Sequence, residues 1–188
     1  MRTVLLLILA AAGMTSLHAS VIGYTFAWTG TEGYTMEGSF TFDSVNIPGG
    51  DITASELLSF SDTGFLDGNP VSTFSLGSPY NGAAPFNFNF NPLTAQFILG
   101  GLSSSTSGQN WNDDGVNGNS CGNPGLGFNA GNADQDMCVN GLKVSSASVN
   151  SPISVTATPE PATSVVLGLS FAAAVVLKSR PRRGVLES

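Results

Sequence analysis

The chain has 188 residues, with 13 acidic and 6 basic side chains, one histidine and two cysteines. Between the two ends, residues 20–158 hold eleven acids against one base, Lys143, a net charge of −10 with no arginine or histidine. That balance excludes nucleic acid and acidic membrane surfaces as partners, removes Ser-His-Asp and Cys-His catalysis, leaves no arginine clamp for phosphate and argues against zinc or copper.

The first element is a leader. Met1-Arg2-Thr3 precedes Val4 to Ala12, which has no polar residue, and then Gly13-Met14-Thr15-Ser16-Leu17-His18-Ala19. A basic start, a short apolar run and a small residue before the cut make a secretory signal over residues 1–19. The run is shorter than the roughly 20 apolar residues of a membrane span. A buried N-terminal helix is the other reading, but nothing amphipathic supports it.

Residues 20–158 read as one exported domain, long enough for a real core. Ile22, Tyr24, Phe26 and Trp28 alternate with Gly23, Thr25 and Ala27. Gly30-Thr31-Glu32-Gly33 is a turn, and Tyr34, Met36, Gly38, Phe40 and Phe42 resume the alternation. Period-two patterning rich in aromatic and Thr residues predicts a β-hairpin. Asn46 to Asp51 is a loop. Ile52 to Phe60 is a third strand, with a bulge expected where Glu56 interrupts its apolar face. Val71 to Leu76 is a short strand. Phe86, Phe88 and Phe90 alternate with asparagines between Pro85 and Pro92, as a buried strand face would or as an aggregation-prone segment would. Leu93 to Leu99 is a further strand.

From Ser103 to Gly131 the chain is dominated by Gly, Ser, Asn and Asp, which predicts a long surface loop region around Trp111. Leu142 to Ser148 and Ile153 to Ala157 are closing strands. Seven or eight short strands without a helix imply an all-β domain, an antiparallel β-sandwich or jelly roll with a long Gly/Asn/Asp-rich loop region.

Four candidate chemistries sit in this domain. Cys121 and Cys138, an even count in an exported chain, read as a disulfide. Asn110, Asn112 and Asp114 copy the first half of an EF-hand loop, but its twelfth position is Cys121 and not the required Glu. Asn132, Asp134 and Asp136 form a second oxygen cluster. Both clusters suit a structural calcium ion, and both suit unliganded turns; no other cofactor is expected. Glu32, Glu37 and Glu56 are carboxylates of the type a glycosidase pairs. Trp28, Tyr80 and Trp111 are the side chains from which a sugar-binding platform would be built.

The C-terminus reads Pro159-Glu160-Pro161, then Ala162 to Leu177 without a charge, then Lys178, Arg180, Arg182 and Arg183. The uncharged stretch predicts a single helix of about 24 Å, short of the ~30 Å hydrocarbon core unless basic side chains snorkel. The basic residues after it predict a cytoplasmic C-terminus. This tripartite tail, residues 159–188, resembles the PEP-CTERM sorting domain of Gram-negative bacteria. The resemblance covers the tail only. It implies recognition of Pro159-Glu160-Pro161 and the basic cluster by a membrane exosortase, which releases or transfers the body, and a setting in which exopolysaccharide is made. A plain C-terminal membrane anchor is the alternative.

Together these features predict an exported protein, anchored in the inner membrane until processed and then placed at the cell surface or in the extracellular matrix. Its expected role is structural or interactive, in biofilm or exopolysaccharide, and not enzymatic. A carbohydrate-binding module is the second reading, and a carboxylate-based glycosidase the third.

Overall fold

The computed structural model describes residues 21–44, 50–76, 85–101, 106–113 and 121–158. The stretches expected as a signal (1–19) and as a sorting tail with a helix (159–188), Tyr80 and Asp114 lie outside these residues. Within them the protein is all-β, with three antiparallel sheets and no α-helix.

The opening hairpin forms as expected from β1 (Val21–Thr29) and β2 (Tyr34–Asp43), with Phe26 opposite Gly38 and Trp28 opposite Met36. The expected third strand is broken. β3 (Ile52–Thr53) ends at a 3₁₀ turn, Ala54–Glu56, and β4 (Leu57–Leu66) begins after it. The irregularity foreseen as a bulge at Glu56 is therefore this turn. A bulge follows it in β4, where Ser59 pairs with Thr41 and Leu57 with Phe42, leaving Leu58 as the extra residue. β4 continues past Phe60 and turns through Asp67 and Gly68 into β5 (Asn69–Leu76).

The phenylalanine ladder divides into β6 (Phe86–Asn87) and β7 (Asn89–Asn91), and only β8 (Gln96–Phe97) forms within Leu93–Leu99. The expected long loop is in part regular: it holds β9 (Gln109–Trp111) and β10 (Leu126–Ala130). β11 (Asp134–Val139), β12 (Leu142–Ser148) and β13 (Ser154–Thr158) complete the chain order. Thirteen strands among the described residues replace the expected seven or eight. The added ones are short and rich in Asn, Gln and Gly, residues of low strand propensity, so pairing with neighbours holds them extended.

The first sheet runs β13-β1-β2-β4-β5, the second β12-β11-β10-β9-β6, and a small third sheet β3-β7-β8. Side chains alternate across each strand, so pairing aligns whole rows on one face. One row of the first sheet is Tyr24, Phe40, Phe60 and Leu76, and the next is Phe26, Gly38, Asp62 and Phe74. On the second sheet Phe86, Trp111, Phe128, Met137 and Ser145 align.

These rows meet. Trp111 lies 4.9 Å from Phe60 and 5.2 Å from Phe26 between ring centroids, and Trp28 meets Phe128 edge-on at 5.4 Å. The third sheet adds Phe90, 4.9 Å from both Tyr24 and Phe40. Each such pair contributes about 0.5–1.5 kcal/mol beyond the area it buries. Gly64 makes the close approach possible, because a Cβ there would overlap the side chains of Met137 and Leu126. The Phe ladder is thus buried core: Phe88 and Phe90 are fully covered.

Candidate functional site

The face of the first sheet that points away from the core is built from short hydroxyl side chains. Its parity follows directly from the inward row. With Phe26, Gly38, Asp62 and Phe74 facing in, the neighbours Thr25, Ser39, Ser61 and Ser75 face out in register. Thr41 and Ser59 pair beside them, their hydroxyls 2.6 Å apart, and Ser39 and Ser61 lie 3.4 Å apart. Strand β13 borders this face: Thr25 Oγ1 donates to the Thr156 carbonyl at 3.5 Å. Between β13, β1 and β2 runs a groove of about 360 Å³ lined by Thr25, Ala27, Glu37, Gly38, Ser154 and Thr156, with Phe26 at its floor. It offers hydroxyls, backbone groups and one carboxylate, which makes it a neutral-to-acidic hydrogen-bonding surface.

The three candidate glutamates are not brought together. Glu37 is exposed in this groove and is the one carboxylate among its lining residues. Glu32 sits in the β1–β2 turn at φ 58°. Glu56 serves its own backbone: Oε2 accepts the Thr53 N–H at 2.8 Å, and Oε1 accepts the Ser55 hydroxyl at 2.6 Å. Partial burial favours its neutral form, but the Ser55 and Thr53 donors outweigh that and hold it below the ordinary glutamate value. Its role is that of a capping-box acid closing the 3₁₀ turn.

The expected aromatic platform is overturned for two of its three members. Trp28 is 1% exposed and Trp111 0%. Both take the inward parity of their strands, where an indole contributes most by burial.

The candidate calcium ligands make fold-internal bonds. Asn110 Oδ1 accepts the Asp113 N–H at 3.1 Å, and Asn132 Oδ1 accepts the Gly101 N–H at 2.6 Å. Asn112, at φ 51°, donates through Nδ2 to the Pro124 and Leu126 carbonyls at 3.0 and 2.9 Å. Asp136 Oδ1 accepts from Ser146 at 2.6 Å and pairs with Lys143 Nζ at 2.8 Å. Asp134 is exposed. Asn110 and Asp136 share one row of the second sheet with Asn129 between them. Two strand spacings, roughly 9.5 Å, exceed the ~5 Å that separates two oxygens on one calcium ion. Among the described residues no three His, Cys, Asp or Glu side chains gather as a metal site.

Cys121 and Cys138 are disulfide-bonded, with Cα atoms 5.4 Å apart. The bond ties the segment before β10 to β11. A buried amide cluster does similar work at the other end of the second sheet. Gln109 Nε2 donates to the Asn89 and Ile98 carbonyls at 2.7 and 3.0 Å, and Asn89 Nδ2 to the Gly108 carbonyl at 2.8 Å. These contacts stitch the third sheet to β9.

One ionisable residue escaped the sequence reading. Asp62 is 2% exposed, on the core face of β4. Its signal was the alternation Phe60-x-Asp62-x-Gly64, which becomes visible only when the strand is extended beyond Phe60. Comparison with known proteins finds no matching family model, curated protein or solved structure.

Proposed function

We propose that residues 20–158 form an exported, non-enzymatic surface or matrix domain. In this reading, residues 1–19 are a cleaved signal and residues 159–188 a sorting tail. An exosortase-type enzyme recognises Pro159, Glu160, Pro161, Lys178, Arg180, Arg182 and Arg183, and the body passes from the inner membrane to the cell surface or the extracellular matrix. We further read the architecture as a β-sandwich: two five-stranded sheets over one aromatic core, with the third sheet closing an edge.

The observation that carries export is the Cys121–Cys138 disulfide, a bond that persists in oxidising compartments. A binding or structural role is supported by the dispersal of the glutamates and by the hydroxyl face with its groove. That same groove favours a second reading, a carbohydrate-binding module that uses hydroxyls and Glu37 in place of stacked aromatics.

Intact-mass measurement of the cell-surface and medium fractions tests the route. The expected species lacks residues 1–19 and ends near Pro159–Pro161. An exported species that still contains Met1, or still ends at Ser188, overturns the corresponding half of the reading.

A further inference from the structure

Asp62 sits where a large apolar side chain belongs. Along β4 its inward neighbours are Phe60 and Gly64, and across the sheet they are Gly38 on β2 and Phe74 on β5. From the facing sheet, Trp111 packs on Phe60, while Met137 and Leu126 fill the space over Gly64. None of these groups, on any of the elements around it, is charged or titratable. Both carboxylate oxygens are buried without a hydrogen-bond partner. The amides of Phe74 and of Asp62 itself are oriented favourably toward it but fall outside bonding geometry. The one basic residue of the domain, Lys143, is held by Asp136 on the opposite face of the second sheet. Among the described residues, therefore, no counter-ion reaches Asp62.

We propose that Asp62 is a pH-sensitive element of this fold: a neutral carboxylic acid in the folded domain, whose ionisation loosens the packing between the two five-stranded sheets. An isolated carboxylate in an apolar interior is far costlier than the protonated acid, so the folded state retains the proton that the unfolded chain releases. Burial accordingly pushes the acid well above its ordinary value of 3.8, and the nearby amide dipoles offset only part of the rise. The sign follows from linkage. A group whose folded pKa is raised contributes fully below its unfolded value, and that contribution is lost as pH rises through the folded value. The domain is thereby biased toward tighter packing in acid than at neutral pH, as far as this residue decides it.

The test is equilibrium urea unfolding of the oxidised full chain as a function of pH, comparing wild type with Asp62→Asn and Asp62→Leu. The infrared band of a protonated carboxyl is recorded on the same samples. Above pH ~4 the folding equilibrium constant of wild type is expected to fall relative to both variants, by up to about tenfold per pH unit until the acid ionises. A protonated-carboxyl band should persist in wild type above pH ~5 and be missing from the variants. Parallel pH profiles in all three proteins overturn the proposal. So does a wild-type spectrum without that band, and this second readout holds even if neither variant folds.

Discussion

At the scale of single residues, burial and hydrogen bonding push two acids of one short segment in opposite directions. Glu56 is held below the ordinary glutamate value of 4.5 by the donors around it, so its contribution is present above that value and is lost as pH falls. Glu56→Gln is expected to cost about 1 kcal/mol or less at neutral pH, since the site is partly solvated. The difference from wild type should close in acid; urea midpoints at pH ~7 and pH ~3 check this. Trp111 is fully buried and joins all three sheets, touching Phe26, Phe60, Phe97 and Phe128. Trp111→Ala should cost about 3–5 kcal/mol by chemical unfolding. Trp111→Phe should cost clearly less, because it keeps a ring there and removes an indole N–H that has no partner.

At the scale of elements, the turns carry the register. Asp67–Gly68 and Asn140–Gly141 join paired strands through two residues that all have positive φ, 50° and 79° in the first and 50° and 81° in the second. This is the backbone that Asp-Gly and Asn-Gly supply in tight hairpins. Gly141→Ala is expected to lower stability by about 1–2 kcal/mol, measured by urea unfolding. Both dipeptides stand in the sequence, but the strand expected there ended at Phe60; only the turn at Asp67–Gly68 carries β4 to Leu66 and sets the inward position of Asp62. The Asn and Asp clusters were equally visible, but turn and ligand chemistry use the same residues. In the described residues Asn110, Asn132 and Asp136 are engaged in hydrogen bonds of the turns and the sheet. Thermal melts are therefore expected to coincide in calcium, magnesium and chelator. A rise specific to calcium and abolished by Asp134→Ala with Asp136→Ala would restore the metal site.

At the scale of the whole molecule, the disulfide closes a loop of 18 residues, counting both cysteines. In the chain-entropy model this is worth roughly 3 kcal/mol. Alkylation without reduction should label neither cysteine, and Cys121→Ser with Cys138→Ser should lower the melting temperature without abolishing the aromatic core. The sequence by itself determined the all-β class, the β1–β2 hairpin and the cysteine pairing. Strand alternation is a local property, and two cysteines in one chain have one intramolecular connectivity. Only the tertiary structure decided that Trp28 and Trp111 are core and not a sugar platform, that Glu32, Glu37 and Glu56 stand apart, and that Asp62 is buried with no counter-charge among the described residues. Those outcomes depend on which strands pair and which faces meet. Residues as distant in sequence as Phe26 and Trp111 settle them, and no local pattern of side chains encodes that encounter.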